Sequence, residues 1–184
     1  MKKRTVILFA TAIISLFFLN ISTYATHIEV KVLYFQPTEK MFKDIYGGGM
    51  SYGGELNINI IKGLTIWVGA DYFKKKGKLT FTKEETELQI FPIYGGLKYI
   101  FPGQWIMPYL GVGVGYFQYK ESNPIGKVKE GEIGYVAQAG FLLRLFDPVI
   151  VDFQAGYNVC KTKPQEIEVD IGGLKAAVGL GLSF

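Results

Sequence analysis

The last eleven residues of the chain, 174–184, alternate between two kinds of side chain. One parity is apolar throughout: Leu174, Ala176, Val178, Leu180, Leu182 and Phe184. The other parity carries Lys175 and otherwise small residues. A period of two predicts a β-strand with two unlike faces. A strand that is apolar on one face and small or polar on the other fits a closed barrel in lipid, where strands alternate between lipid-facing and lumen-facing positions.

Residues 1–25 read as a secretory signal peptide. Three basic residues precede an apolar run over 6–19, and a small-residue cleavage site ends at Ala25. The apolar run is shorter than the roughly 20 residues that a membrane-spanning helix needs. The predicted mature domain is 26–184. It contains 17 basic and 16 acidic residues, which gives a net charge of +1. That domain lacks the basic excess that indicates nucleic-acid binding, so we expect no nucleic-acid partner.

Cysteine and histidine each occur once, as Cys160 and His27. An intramolecular disulfide is therefore excluded, and the chain offers no cluster of Cys and His ligands for a metal. We expect neither a metal nor a cofactor. After residue 25 no apolar run is long enough for a spanning helix, so a mature chain that lies in a membrane is expected to be a barrel.

Eight segments have about the length of a tilted spanning strand, for which roughly 9–11 residues are needed. They are 27–36, 49–60, 64–73, 87–100, 108–119, 133–145, 149–159 and 170–184. The connections 61–63, 102–107 and 146–148 are short, whereas 37–48, 74–86, 120–132 and 160–169 are longer and rich in charged residues. Short turns at one end and long loops at the other are typical of a bacterial barrel. The predicted fold class is all-β, an eight-stranded antiparallel transmembrane β-barrel.

Six tyrosines share a position in the pattern: Tyr34, Tyr52, Tyr72, Tyr116, Tyr135 and Tyr157. Each lies at the long-loop end of its segment, on the same parity as the apolar residues. An amphipathic ring favours the headgroup level of a bilayer, so the pattern predicts an aromatic girdle. Tyr99, Phe101, Trp105, Phe146 and Phe184 are the candidates for the opposite girdle. General enrichment of tyrosine in strands explains their number but not their shared position.

The opposite parity, which is predicted to face the lumen, collects four acids and four bases. They are Glu29, Lys31, Glu55, Asp71, Lys98, Arg144, Asp152 and Lys175. An unpaired buried charge is costly, so we expect these side chains to pair, with Arg144 opposite Asp152 or Glu55. The facing of the fourth segment is ambiguous, because both of its parities are partly apolar. Glycines at 111, 113 and 115 leave room for bulky neighbours in a narrow lumen.

The chain resembles the small outer-membrane β-barrel superfamily of OmpA, OmpX and OmpW type. Four features carry the resemblance: the segment from Pro108 to Tyr116, the eight amphipathic strands, the signal and the terminal Phe184. The likeness covers the whole mature chain. It implies location in the outer membrane, contact with outer-membrane lipid and lipopolysaccharide, and a porin-like architecture. It also implies that Phe184 is the signal that the outer-membrane assembly machinery reads. We expect a monomer.

The first functional hypothesis is a non-enzymatic barrel with a structural or surface-interaction role and a plugged polar lumen. The long loops are charged, and loop 74–86 alone carries Lys74, Lys75, Lys76, Lys78 and Lys83. Lysines can pair with lipopolysaccharide phosphates, although a solvated loop explains them as well. An alternative is a small channel or a hydrophobic-ligand carrier of OmpW type, with Leu33, Phe35 and Phe73 lining a shallow pocket, although a packed plug of these side chains is the favoured interpretation.

A lipid-modifying enzyme is the third hypothesis. Hydrolysis needs a nucleophile, a base and an orienting group within hydrogen-bond reach. His27 is the only histidine, and Ser51 and Ser122 are predicted at the far end of the barrel from it. Ser183, His27 and Glu29 can converge if the first and last strands pair. We assign no catalytic residue to this chain.

Overall fold

The computed structural model describes residues 26–78, 85–124, 126–162 and 169–184. The predicted signal peptide, 1–25, lies outside the described residues, as does Lys83. Within the described part, the chain forms ten strands and one short helix. The strands are β1 (His27–Pro37), β2 (Gly49–Ile61), β3 (Leu64–Lys78), β4 (Glu85–Ile100), β5 (Ile106–Asn123), β6 (Gly126–Phe146), β7 (Val149–Val159), β8 (Lys161–Thr162), β9 (Val169–Asp170) and β10 (Gly173–Ser183). The helix is α1 (Lys40–Tyr46).

Eight of the described strands close into one antiparallel barrel in the order β1-β10-β7-β6-β5-β4-β3-β2. The closure joins the two ends of the described chain, since His27 pairs with Ser183 in the β1–β10 register. Beyond these strands, Thr26 and Phe184 exchange backbone hydrogen bonds of 3.0 and 2.8 Å. The predicted fold class, an eight-stranded antiparallel barrel, is confirmed.

The short connections all lie at one end of the barrel. Between β2 and β3 the chain reverses at Gly63, which adopts a φ of 83°. A Cβ at this position would meet the carbonyl oxygen of Ile100 at 2.7 Å, so both the left-handed conformation and the close approach require glycine. We call this the short-turn end.

The other end is more ordered than the sequence predicts. The ladder between β3 and β4 continues to the pair Lys78–Glu85, and the ladder between β5 and β6 continues to Asn123–Gly126. Much of the predicted loops 74–86 and 120–132 is therefore hairpin. The small β8–β9 sheet lies where the loop 160–169 was predicted.

Helix α1 lies within the predicted loop 37–48. Its apolar residues Phe42, Ile45 and Tyr46 recur at a helical spacing and pack on one side against the barrel. The helix ends at Gly47, which has a φ of 62° and donates its N–H to the carbonyl of Lys43 at 2.8 Å. The loop composition of 37–48 concealed this pattern because it spans only two turns.

The faces of the strands follow the predicted parity. Along β1, every second side chain is buried in the lumen, while those between are exposed on the outside. In β4, Ile90, Tyr94 and Lys98 point into the lumen, which resolves the facing of the ambiguous fourth segment. The core of this protein is therefore its lumen. It holds two apolar clusters, one near each end, with charged side chains between them.

Candidate functional site

The six tyrosines of the predicted girdle all lie on the outer surface, with 40–68% of each residue exposed. Tyr52 and Tyr72 are direct neighbours across the β2–β3 ladder. The surface between the tyrosines and the short-turn end is apolar and includes Val30, Val112 and Leu180. An apolar band with amphipathic rings along one margin is the surface that a bilayer requires.

The candidates for the opposite girdle are also exposed. They are Tyr99, Phe101, Trp105, Phe146 and Phe184. Tyr99 and Phe101 form an edge-to-face pair with ring centroids 5.0 Å apart. All five lie toward the short-turn end, on β4, the β4–β5 connection, the end of β6 and the residue after β10.

A cluster that we call the charged layer crosses the lumen; it consists of Glu29, Lys31, Glu55, Lys98 and Asp152. Lys31 is its centre, because its Nζ lies 3.2 Å from Glu29 Oε1, 3.1 Å from Glu55 Oε2 and 3.0 Å from Asp152 Oδ2. An ammonium has three N–H donors, so each of them has a carboxylate within reach. All five side chains are almost fully buried.

Lys98 is the second cation of the charged layer. Its ammonium binds Oε1 of Glu55 and lies 4.4 Å from the ring centroid of Tyr109 and 5.9 Å from that of Trp67. Tyr109 in turn donates its hydroxyl to Asp152 Oδ1 at 2.8 Å. Aromatic faces attract a desolvated cation, so the rings supplement the carboxylate of Glu55.

A separate ion pair lies farther from the short-turn end. Lys175 binds Oδ2 of Asp71, and Tyr94 donates its hydroxyl to Oδ1 of the same carboxylate at 2.5 Å. The Lys175 ammonium also lies 5.1 Å from the Tyr94 ring centroid. One acid and one base thus form a pair that is neutral by itself.

Arg144 does not join these charges, and the expectation that it pairs with Asp152 or Glu55 is wrong. The β6–β7 register shifts between Arg144 and Phe146, which places Arg144 at the rim beside the turn. Its side chain is 42% exposed, and its Nε lies 4.0 Å from Asp147 Oδ1. The Asp152 carboxylate that it was expected to bind is bound by Lys31 instead.

Sequence reasoning missed the uncharged partners of the charged layer. Tyr109 shares parity with the inward Gly111, which was enough to place its ring in the lumen. Asn57 shares parity with Glu55 and donates its amide to Glu29 Oε1 at 3.1 Å. These residues were passed over because the pairing argument counted charges alone.

The long-loop mouth is closed by apolar side chains that we call the outer plug. They are Phe35, Phe42, Tyr46, Phe73, Leu88, Ile90, Phe117, Tyr119, Val136, Cys160 and Ile171. Phe35 and Phe73, two residues of the predicted shallow pocket, pack edge to face with centroids 5.1 Å apart. Leu33, the third, is also buried. A cavity of about 20 Å³ remains between the plug and Lys175, which is room for about one water.

Polar contacts tie the outer plug to the strand extensions above it. The Tyr46 hydroxyl lies 3.0 Å from Thr86 Oγ1, which donates to Glu121 at 3.2 Å. Tyr119 donates to Glu130 Oε2 at 2.9 Å. Burial raises the pKa of both tyrosines, for Tyr119 to about 12. These hydroxyls therefore stay neutral donors at physiological pH.

Cys160 is fully enclosed in the outer plug. Its Sγ lies 3.9 Å from the carbonyl oxygen of Glu132, and burial raises the pKa of the thiol to about 12. A thiol with so little thiolate and no exposure is a packing residue rather than a nucleophile.

The exposed lysines of the loop 74–86 lie on β3. Lys74 pairs with Glu87 across the ladder at 2.9 Å, and this hydrogen bond raises the pKa of Lys74 and lowers that of Glu87. Lys76 is exposed and Lys75 half-buried. The backbone of Lys78 belongs to the same strand.

The proposed catalytic group is only partly assembled. His27 and Ser183 are register partners on β1 and β10, and His27 Nε2 lies 3.9 Å from Glu29 Oε1. Among the described residues, however, His27 Nε2 has no hydrogen-bond partner, so it forms no hydrogen bond with Ser183. Ser51 donates to the carbonyl of Tyr72 at 2.9 Å, which occupies that hydroxyl.

Two features are absent from the described residues, a membrane-spanning helix and a metal-binding cluster. No helix there has the length and apolarity to cross a membrane. No group of three or more His, Cys, Asp or Glu side chains in the same residues is arranged to hold a metal ion.

No protein-family model matches the chain, and no curated protein matches it at a significant level. Solved structures do match. The Neisserial surface protein A is 15% identical with a TM-score of 0.67, and the match covers 88% of this chain and all of that one. OprG from Pseudomonas aeruginosa is 13% identical with a TM-score of 0.71, covering 87% of this chain and 95% of that one.

A third similar structure is Ail, the attachment invasion locus protein of Yersinia pestis, in complex with the heparin analogue sucrose octasulfate. It is 12% identical with a TM-score of 0.57, and the match covers 88% of this chain and all of that one. At such identities the comparisons establish the fold. This chain has the fold of the small outer-membrane β-barrels, as the sequence resemblance implied.

Proposed function

We propose that this chain is an outer-membrane barrel with a closed lumen, which acts through its surface and its charged long-loop end and carries out no chemistry. The observation that supports the proposal most strongly is the filling of the lumen. The paired side chains of the charged layer block the lumen, and the outer plug closes its long-loop mouth. An eight-stranded barrel has an interior just wide enough for side chains to fill.

The test of the closed lumen is conductance across a planar bilayer. The refolded protein is expected to show no steady ion current, because ions would have to separate Lys31 and Lys98 from three carboxylates. Empty bilayers and a wide porin refolded in the same way are the controls. A large and stable open channel would contradict the proposal and favour a channel of OmpW type.

Location in the membrane rests on the apolar outer band. Val112 lies in the middle of β5 and is 65% exposed. An arginine at Val112 should cost about 2–4 kcal/mol in vesicle unfolding, because a cation at the bilayer midplane is poorly solvated. Lys76→Arg is the control and should change little. Equal effects of the two substitutions, or recovery of the protein from the periplasm as a soluble monomer, would contradict the membrane location.

Lipopolysaccharide is the proposed surface partner. Lys74 and Lys76 follow the girdle residue Tyr72 on the outward face of β3, where lipid phosphates would lie, and lysine binds phosphate as a point charge. Ail, a structural neighbour, was solved with the polyanion sucrose octasulfate. Replacing both lysines by glutamine should weaken binding to lipopolysaccharide vesicles but not to dephosphorylated ones. Lys62→Gln, an exposed lysine at the short-turn end, is the matched control. Equal binding by all variants would contradict the partner.

The assembly machinery is the second proposed partner, with Phe184 as its signal. Phe184 is 74% exposed, and its backbone pairs with that of Thr26, so its ring is accessible to a binding partner. Phe184→Ala should slow assembly in cells more than refolding in detergent. Equal slowing in both would assign the residue a stabilising role only.

A hydrophobic-ligand carrier is the second candidate function, favoured by the cavity between Lys175 and the outer plug. At about 20 Å³ the cavity is far too small for a fatty acid, so the side chains that line it, such as Phe35 and Phe117, would have to move apart. Saturable binding of a fluorescent fatty acid, lost on Phe117→Trp, would support this candidate.

Abolition of a lipid-hydrolase activity by Ser183→Ala would favour the enzyme hypothesis instead.

A further inference from the structure

The charges of the charged layer do not balance. Its three carboxylates belong to Glu29, Glu55 and Asp152, whereas its two ammonium groups belong to Lys31 and Lys98. The next ion pair along the lumen, Asp71 with Lys175, is neutral by itself and contributes nothing. With every acid ionised, the layer would bury one uncompensated negative charge, which is costly in an interior of low dielectric.

The hydrogen bonds identify the acid in excess. Both oxygens of Glu55 bind an ammonium, Oε1 that of Lys98 and Oε2 that of Lys31. Both oxygens of Asp152 are also partnered, Oδ1 by Tyr109 and Oδ2 by Lys31. Glu29 differs, because Oε1 accepts from Asn57 and lies beside Lys31 while Oε2 is buried without any partner among the described residues.

The surroundings of Glu29 offer no further cation. On β1 it faces Lys31 and His27, on β2 Glu55, on β4 Lys98 and on β7 Asp152. Across β10, Gly179 presents backbone only, and a Cβ built there would lie 3.2 Å from Glu29 Oε2. The His27 imidazole is buried, and its Nε2 lies 3.9 Å from Glu29 Oε1 without a hydrogen-bond partner. Burial and the neighbouring ammonium groups of Lys98 and Lys31 both disfavour an imidazolium, so His27 is neutral.

We propose that Glu29 is a proton-binding site and carries a proton in the folded barrel at neutral pH. The proton supplies the missing positive charge, and it resides on Oε2, the oxygen that accepts no hydrogen bond. The remaining layer then consists of two carboxylates and two ammonium groups, and it is neutral.

The wall between this site and the short-turn rim is suited to exchange of the proton. Several further buried polar atoms without partners lie on the inward faces of β1–β3 at this end of the lumen: His27 Nε2, Asn57 Oδ1, Asn59 Oδ1, Thr65 Oγ1 and Trp67 Nε1. Their strands are adjacent, since His27 pairs with Asn57 and Asn59 with Thr65. The inward faces of these strands are therefore polar between the rim and Glu29.

The test compares Glu29→Gln with Glu55→Gln in the full barrel refolded in vesicles. Glutamine has nearly the shape of a neutral glutamic acid, so Glu29→Gln should leave the urea midpoint at pH 7 unchanged. Glu55→Gln removes the partner of both Lys31 and Lys98 and should lower the midpoint clearly. A drop with Glu29→Gln as large as with Glu55→Gln would overturn the proposal, because it would show that the ionised form is required.

Two further measurements test the proton directly. The wild type should show the infrared carbonyl band of a protonated carboxyl at pH 7, and Glu29→Gln should lack it. The folded barrel then holds one proton more than the unfolded chain, in which glutamate ionises at about pH 4.3, so between about pH 5 and 8 wild-type stability should fall relative to that of Glu29→Gln as pH rises. Absence of the band, together with a midpoint that follows sodium concentration at constant ionic strength, would assign the missing charge to a bound cation and overturn the proton site.

Discussion

Strand β4 passes through two regions that fill the same lumen with opposite chemistry. Near the short-turn end it contributes Lys98 to the charged layer, and farther along it contributes Ile90 and Leu88 to the outer plug. The charged layer depends on particular partners, because each ammonium is matched to individual carboxylate oxygens. The outer plug depends on volume. A lumen can therefore be closed by pairing or by packing, and the two should fail in different ways.

Lys31→Met should produce the largest loss of stability, about 5 kcal/mol, because it removes an ammonium partner of the Glu55 and Asp152 carboxylates, and breaking a buried pair costs roughly 3–5 kcal/mol. Urea unfolding in lipid vesicles measures it, and adding Asp152→Asn should recover part of the loss. Arg144→Ala is the control. The ion pair of Arg144 with Asp147 is half-exposed and should contribute no more than about 1 kcal/mol to stability. Equal losses for Lys31→Met and Arg144→Ala would contradict the pairing described for the charged layer.

Leu88→Ala should cost about 3 kcal/mol, within the range for a buried leucine in a packed core. Leu88 lies in the outer plug and is 2% exposed. Because the loss comes from packing, removal of a charge elsewhere in the lumen should not recover it, whereas Asp152→Asn should recover part of the loss with Lys31→Met. Gln89→Ala, the next residue on β4, should change stability only slightly. Recovery of the Leu88→Ala loss by Asp152→Asn would remove the distinction between the two regions.

Tyr109→Phe should cost about 1.5–2 kcal/mol, because it removes a hydrogen bond to the buried carboxylate of Asp152. The same change at Tyr119 removes a hydrogen bond to Glu130 near the water-facing end of the outer plug. It should cost less, about 0.5–1 kcal/mol. Vesicle unfolding of both variants gives the comparison, and a larger cost at Tyr119 would mean that the mouth is the drier region.

The smallest effect concerns pH at the outer plug. Burial, partly opposed by a hydrogen bond from Thr162, raises the pKa of Tyr119 to about 12. The unfolded tyrosine ionises near pH 10. The contribution of this group is therefore fully present below about pH 10 and is lost as pH rises toward 12. Difference absorbance of tyrosinate between wild type and Tyr119→Phe measures the titration, and ionisation of Tyr119 at pH 10 in the folded protein would contradict it.

Much of the barrel follows from a period of two. The alternation of side chains predicted the strands to within a few residues along most of their length, and it placed Glu29, Lys31 and Lys98 in the lumen. The alternation of side chains is a local property, so the sequence of a single strand is enough to predict which of its residues face the lumen. For the same reason, parity could not show that strands β3–β6 continue past the girdle, where the sequence around Lys74 and Lys120 has the composition of a loop.

The pairing of charges was less accessible to sequence. Lys31 meets Asp152 only because β10 lies between β1 and β7 in the closed barrel, and that contact depends on two registers at once. The expected role of Arg144 failed at a register shift next to a turn, which parity cannot detect. The partnering of tyrosine and asparagine with carboxylates was readable in principle, since both kinds of residue share the inward parity.

The seam between β1 and β10 has a consequence for biogenesis. Until β10 arrives, both flanking strands present unpaired backbone groups that can template pairing with another chain. The contacts of the seam are also the most distant in the sequence, and contacts of this kind form slowly. Pairing with another chain therefore competes with closure of the seam, and we expect aggregation during refolding until the seam has formed.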